Sequence, residues 1–235
     1  MPITPEMAEI LVKCLRRWKI APISGQTFEG FVRQIADPLR AAGATDEDLI
    51  NLHMFVAQGT QYYRFKDGEW EQVYNYPLTD EQVEKITQTI KQAASELGYW
   101  EEEQLLPGDE IIENRVSQVT FSALGQKASV EKKYAWDPDH KKREAISARA
   151  REIAPEFMYE IGGTTSINVT LPGRNKSFGM THMLEELGVE KSEVLYFGDM
   201  TQPGGNDYPV VEMGFDVVTV KNWQETAGIL TTILQ

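Results

Sequence analysis

The sequence is poor in the residues that staple a chain or carry it across a membrane. A single cysteine, Cys14, excludes an internal disulfide, and its place on the apolar face of a helix predicts a small buried hydrophobe rather than a nucleophile. The three histidines, His53, His140 and His182, lie far apart without metal-ligand spacing, so all three are expected to be structural or surface residues. No apolar run approaches the roughly 18 residues of a membrane-crossing helix, and the N-terminus lacks the basic-then-apolar pattern of a secretion signal. Basic residues are outnumbered 23 to 36, for a net charge of −13, which opposes sequence-independent binding to nucleic acid. The expectation is a cytoplasmic protein without membrane or nucleic-acid partners, in which a phosphate-bearing ligand is met locally by a metal and a few placed cations.

What is present is enough core for one large domain or two small ones, with 41% hydrophobic residues over 235 positions. Thr4-Pro5 opens a helix whose apolar face runs from Met7 to Trp18. Lys19 to Gly25 reads as a short strand ending in Ser24, which on local grounds caps the helix that follows. Leu52–Ala57 reads as a strand, and Tyr62 to Tyr74 as a hairpin turning at Asp67-Gly68. Thr79-Asp80-Glu81-Gln82 has the form of a capping box for a helix stopped by Gly98. Beyond it the pattern predicts one long alternating stretch from Ile111 to Leu124, a helix from Pro138 to Ile153 entered through Asp137, and strands at 157–161 and 166–171. Asn175 then caps a helix that starts at Lys176 and stops at Gly188, and Asn222 caps the closing helix.

The chemically richest stretch is Gly198-Asp199-Met200-Thr201-Gln202-Pro203-Gly204-Gly205-Asn206-Asp207-Tyr208, set after the apolar run Val194–Phe197. This is the pattern of a buried parallel strand whose carboxyl end carries ligand groups. Asp199, Asn206 and Asp207 around a glycine turn suit a hard cation such as Mg²⁺, which takes oxygen ligands from protein, water and phosphate. An ordinary solvated turn has a similar composition.

The segment Phe-Gly-Asp-x-x-x-Pro-Gly-Gly-Asn-Asp-Tyr resembles the fourth motif of the haloacid dehalogenase (HAD) superfamily, in the form carried by phosphomannomutases and related capped sugar-phosphate phosphatases. The resemblance implies an α/β fold, a Rossmannoid parallel-sheet core with an inserted α+β cap, divided as core 1–76, cap 77–174 and core 175–235. It implies that Asp199 binds Mg²⁺ with Asn206 and Asp207 in support. It makes Ser24-Gly25 the second motif, with the Ser24 hydroxyl on a phosphate oxygen, and Lys176 the third, a lysine reaching the transferring phosphoryl group. In the cap, Gly162-Gly163-Thr164-Thr165-Ser166-Ile167-Asn168 is similar to the family's sugar-phosphate segment, with Asn168 in place of its acid. Alternation puts Ser166, Asn168 and Thr170 on one face of that strand, where they either meet water or line a cleft, and the resemblance favours the cleft. Arg115 stands where the family has a phosphate-binding arginine, whereas Gln126 replaces a second one. Lys132 or Lys133 stands loosely near the place of a third.

The family's first motif, an apolar strand ending in Asp-x-Asp-x-Thr with the nucleophilic aspartate, has no counterpart in these residues. The two Asp-x-Asp occurrences, at 46–48 and 137–139, lack an apolar run before them and both begin helices. The expectation is that such a strand precedes residue 1 in the natural protein and that the chain as given turns over little. In the family this strand is central, between the one ending at Ser24 and the one ending at Phe197, so its neighbours should keep unpaired backbone edges, at about 1–3 kcal/mol per buried group. Three functions stand against each other: a Mg²⁺-dependent phosphohydrolase acting on a small phosphorylated metabolite, a phosphomannomutase-like mutase, and a non-catalytic phosphosugar-binding protein. The substitutions at 126 and 168 weaken the match to a mutase. A homodimer is compatible with all three.

Overall fold

The computed structural model describes residues 2–235 and divides into two compact units, one formed by 2–75 with 175–235 and the other by 76–174. The first unit begins with helix α1 (Pro5–Leu15), capped by the Thr4 hydroxyl on the Met7 amide. It ends one turn before Trp18, which is exposed. Helices α2 (Phe28–Phe31) and α3 (Asp37–Ala41) follow with a π turn, Val32–Ala36, between them, and α4 (Asp46–Leu49) closes the run. The cap of α2 is Thr27, which accepts from Gly30, and not Ser24: the chain between Ser24 and Thr27 is a turn, and the hydroxyl that reaches the helix is the one adjoining it.

Strands β1 (His53–Val56), β2 (Gln61–Lys66) and β3 (Glu69–Asn75) form an antiparallel meander, with Asp67 and Gly68 at positive φ in the two-residue turn between β2 and β3. β1 is buried on both faces because each faces its own cluster. Met54 and Val56 pack with Ala8, Val12 and Leu15 of α1, while Phe55 packs with the residues of the returning chain.

The second unit opens on α5 (Asp80–Glu96), entered through the Thr79/Gln82 capping box. The stretch 111–124 is a hairpin, β4 (Ile112–Asn114) and β5 (Val119–Ser122), rather than one strand. Its turn holds Val116 at φ 70°, with the Asn114 carboxamide accepting from the Val116 amide. A helix not expected from the sequence, α6 (Val130–Trp136), precedes α7 (Lys141–Ile153), which is the helix expected from Pro138, begun at Lys141. The physical reason lies in Asp137, whose carboxylate accepts from the amides of Lys142 and Arg143 and so starts α7 three residues later than its sequence suggests. Strands β6 (Met158–Gly162) and β7 (Ser166–Thr170) complete a four-stranded antiparallel sheet in the order β4-β5-β7-β6. One face buries Val119, Phe121, Ile167 and Val169 against Ile86 and Ile90 of α5 and Ile146 of α7.

The chain returns to the first unit in α8 (Lys176–Leu187), then the parallel pair β8 (Leu195–Gly198) and β9 (Asp216–Thr219) with α9 (Tyr208–Glu212) between them, and ends on α10 (Trp223–Ile233). Met180 and Met183 of α8 pack with Phe55, Tyr196 and Phe215. The approach of α8 to the turn after β1 is a backbone contact. A Cβ on Gly59, whose φ is 87°, would lie 2.3 Å from the Cα of Gly179, so both positions require glycine.

Among the described residues, the stretch expected as a strand at 19–25 makes only two isolated parallel bridges, Ile20 to Leu52 just before β1 and Ile23 to Phe55 within it. Ile20, Pro22 and Ser24 carry its backbone bonds: Ile20 N to Asn51 O at 2.8 Å, His53 N to Ile20 O at 2.9 Å, Phe55 N to Pro22 O at 3.0 Å and Ser24 N to Phe55 O at 3.2 Å. By the alternation of a parallel ladder, Ala21 and Ile23 turn their amides and carbonyls the other way, and no backbone bond reaches them among the described residues. Among the described residues β8 pairs with β9 alone. Ala21, Ile23, Tyr196 and Val217 nevertheless share one apolar cluster. The Ile23 amide is therefore expected to exchange with deuterium at least about tenfold faster than the bonded Ser24 amide beside it. Equal protection of the two by native-state exchange would contradict the open edge.

Candidate functional site

In the first unit the loop between β8 and α9 folds back on itself. The Asp207 amide donates to Met200 O at 3.1 Å and the Gly205 amide to Gln202 O at 2.9 Å. A Cβ on Gly205 would sit 2.0 Å from Met200 O, so only glycine lets the loop close this tightly. Closure brings Asp207 beneath the tip of β8, where its carboxylate accepts from the amides of Asp199 (3.1 Å) and Met200 (3.0 Å).

The same carboxylate takes two side-chain donors. Lys176 Nζ and Tyr196 Oη each donate to Asp207 Oδ1 at 2.5 Å. Lys176 is the first residue of α8, a place where the helix dipole disfavours a cation, and the Asp207 charge offsets this. The Asp207 side chain is 2% exposed and that of Lys176 11%. Burial pushes the Asp207 carboxyl up, but the Lys176 charge and the bonds from Lys176, Tyr196 and Met200 outweigh it and hold the group below the usual carboxylate range. The Tyr196 phenol is driven upward, by burial first and then by the adjacent Asp207 charge. Asn206 stands at the rim of the group, with its Oδ1 3.5 Å from Lys176 Nζ.

The sequence-predicted residues thus divide. Lys176, Asn206 and Asp207 are brought together, and Lys176 is no solvated surface lysine. Asp199 joins through its amide only, and its exposed carboxylate accepts no hydrogen bond among the described residues. Ser24 lies at the end of the bridged stretch, with its hydroxyl accepting only from the Gln26 amide at 3.4 Å. Gly25 follows it, and the preceding Ile23 packs on Gly179 of α8. Tyr196 was missed because it reads as one more residue of an apolar strand. Its sole signal is the phenol that Asp207 finds eleven residues later.

No group of three or more His, Cys, Asp or Glu side chains converges on a metal position among the described residues. With Asp207 saturated by four donors, Asp199 supplies the one free carboxylate of the loop. That set fits a loosely held Mg²⁺ that takes most of its ligands from water and phosphate, and not a cage built by the protein.

In the second unit the middle of the sheet's polar face, at Thr120, Ser122 and Asn168, is buried, while Glu113, Glu160 and Ser166 around it are half-buried. Glu113, Thr120, Asn168 and Glu160 stand opposite one another across the four strands. Gln118 Nε2 donates to Thr120 Oγ1 (2.7 Å) and Asn168 Oδ1 (3.0 Å), and Asn168 is 6% exposed. Gln126 Nε2 donates to Ser122 Oγ (2.8 Å), which lies 3.0 Å from Ser166 Oγ. Arg115 is buried, not a surface arginine, and its guanidinium holds Glu113 at 2.9 and 2.6 Å. Lys133 donates to the carbonyl of Gln126, and Lys132 bonds through its amide to the cap residue Ser129.

A family model described as eukaryotic phosphomannomutase matches residues 7–235. The probable phosphomannomutase of Caenorhabditis elegans is 27% identical over 219 residues, which cover 88% of this chain and 79% of that protein. Among solved structures, an N-terminally truncated IMP-nucleotidase from Plasmodium falciparum superposes with a TM-score of 0.67 at 14% identity, over 98% of this chain. The match spans just under two-thirds, 65%, of that protein. A haloacid dehalogenase-like hydrolase from Bacteroides thetaiotaomicron gives a TM-score of 0.59 at 12% identity, over 98% of this chain and 92% of the other. At such identities the structural likenesses speak for the fold alone.

Proposed function

Because this chain belongs to the eukaryotic phosphomannomutase family and has a HAD-like Rossmannoid core with a cap, we propose that it is a Mg²⁺-dependent phosphohydrolase of a small phosphorylated metabolite, in the simplest case a sugar phosphate. The observation that carries this reading is the Lys176–Asp207 pair at the carboxyl end of a parallel strand, beside the free carboxylate of Asp199. A buried cation fixed at the start of a helix is a preorganised countercharge for a phosphoryl group, and one held in place costs no reorganisation during reaction. Bound Mg²⁺, with Asp199 as its protein ligand and Asn206 and Asp207 in support, would add further neutralisation of phosphate charge. Ser24 and Gly25 complete the phosphate side. Within the second unit, Arg115, Ser166 and Asn168 are the residues that the family resemblance assigns to substrate.

Hydrolysis in this reading exchanges the phosphorus–oxygen bond to the sugar for one to an aspartate oxygen, the sugar oxygen leaving as a hydroxyl on a proton taken from water, and a second water then cleaves the acyl phosphate to carboxylate and inorganic phosphate. The attacking aspartate is not one that residues 1–235 present in the required setting, and the chain by itself is expected to release little phosphate. The neutral Gln126 and Asn168 at positions where the resemblance has charged residues favour hydrolysis over transfer within a bisphosphate. The names of the family model and the C. elegans relative favour the mutase as the second reading.

The test is to append an apolar strand ending in Asp-x-Asp to the N-terminus and assay a panel of hexose phosphates with Mg²⁺. Release of inorganic phosphate supports the hydrolase. Interconversion of mannose 1-phosphate and mannose 6-phosphate, stimulated by a hexose bisphosphate, would replace it with the mutase. Tight binding without either reaction would leave a phosphosugar-binding protein.

A further inference from the structure

Arg143 is the largest side chain that the described residues enclose almost completely, with 1% of its surface exposed. A guanidinium cannot shed its charge, so an interior arginine is tolerated only where its donors find acceptors. Here they do. Nε donates to Asp137 Oδ2 at 2.7 Å, Nη1 to Gly163 O at 2.7 Å and to Gly162 O at 3.4 Å, and Nη2 to Asp137 O at 3.4 Å. Asp137 is equally enclosed, and its carboxylate also binds the amides of Lys142 and Arg143 in the first turn of α7. The Lys176 pair aside, no other ion pair among the described residues is so withdrawn from water.

A buried ion pair is a poor source of stability, since an apolar side chain of similar volume often does as well. What this one does supply is a fixed distance. One end is welded to the start of α7, and the other ends on two consecutive carbonyls, that of Gly162 at the end of β6 and that of Gly163 in the turn that leads to β7. The Gly162–Gly163 pair thus opens the turn that ends at Ser166. Gly163 sits at φ 53°, and a Cβ on Gly162 would lie 2.7 Å from Asn168 Nδ2. The turn therefore rests directly on the Asn168 side chain, and whatever holds Gly162 and Gly163 also sets where Ser166 and Asn168 stand. Helix, arginine, turn and the two polar residues form one unbroken chain of contacts within the second unit.

We propose that Arg143 is a positioning residue for ligand binding, clamping the Gly162–Gly163 turn to helix α7 so that Ser166 and Asn168 are held in register for a sugar phosphate. The inference rests on the reading above that the segment 162–168 holds substrate. Arg143 does not touch the ligand; it acts through the turn. A lysine at the same place keeps the charge opposite Asp137 but has no planar fork with which to reach the glycine carbonyls at the same time.

The test uses the full chain, with mannose 6-phosphate as the probe and isothermal titration as the readout, alongside amide NMR spectra. For Arg143→Lys the affinity is expected to fall about tenfold, or about 1.4 kcal/mol of binding free energy, at a temperature where the variant is fully folded. The amides of Gly162 to Ser166 are expected to shift and broaden, while those of α5 stay in place. Asp137→Asn, which keeps the Gly163 bond and weakens the anchor, serves as the second variant and should lose about threefold, or about 0.6 kcal/mol of binding free energy. A folded Arg143→Lys, or a folded Asp137→Asn if the first does not fold, that binds within a factor of two of the parent would overturn the positioning role and leave the substrate reading standing. Failure of the parent chain itself to bind mannose 6-phosphate would overturn the reading of segment 162–168, and the inference with it.

Discussion

Replacing Asp207 by alanine is expected to destabilise the fold by about 3–5 kcal/mol, the range for removing one partner of a buried ion pair. The size follows from what is left behind. Lys176 would remain charged at the start of α8 with no anion, Tyr196 would lose the acceptor for a buried hydroxyl, and the amides of Asp199 and Met200 would lose theirs. Since whole domains are stable by only about 5–15 kcal/mol, a loss of this order removes a large share of the total. Asp199→Ala is the control. Its exposed carboxylate accepts nothing, so its removal should fall within about 0.5 kcal/mol of the parent. Urea unfolding of the two variants at pH 7 decides the matter, and comparable costs would contradict the hub. The Asp207 contribution is present above the ordinary carboxylate pKa and is lost as pH falls through its depressed folded value, because the proton then taken up displaces Lys176.

This asymmetry separates two acids that look alike in sequence. Spacing located the loop and the glycine turn correctly, because Gly205 is demanded by local geometry. Which acid is saturated and which is open depends on Tyr196 and Lys176, and neither declares its orientation along the chain. The elements legible in advance were those fixed by neighbouring residues: the Thr79/Gln82 box, the Asp67-Gly68 turn, and the Asn175 and Asn222 caps. Those that were not legible depend on an unusual local conformation or a distant partner. The turn at 115–118 carries no glycine or proline, and Val116 holds a left-handed φ that β-branched residues rarely adopt, so 111–124 looked continuous. The stretch 19–25 has the composition of a strand, but Pro22 has no N–H to donate to the His53 carbonyl, so its pairing with 52–55 breaks into bridges rather than a ladder. Asp137 announced a helix start, yet its main partner, Arg143, points to a turn twenty residues farther on.

Acidification should weaken the first unit through His53. The imidazole lies in β1 at 7% exposure, with Nδ1 2.8 Å from Tyr62 Oη and with no hydrogen-bond partner for the buried Nε2. Burial, with the Lys19 and Arg64 cations adding to it, lowers its pKa to about 4. An unfolded histidine takes up its proton near pH 6.5. Between these values the unfolded chain binds a proton that the folded chain refuses, so stability rises with pH across the window and is lost as pH falls from 6.5 towards 4. The shift corresponds to about 3 kcal/mol when the window has been fully crossed. His53→Gln keeps a side chain able to bond Tyr62 but cannot titrate, and should remove that part of the slope. Carboxylates also titrate at the lower end, so the quantity to compare is the difference in urea stability between parent and variant at pH 7.0 and at about pH 4.5. The parent should lose about 2–3 kcal/mol more than His53→Gln over that interval. Parallel pH profiles would show that His53 accepts its proton within the fold, and that Nε2 has an outlet to solvent.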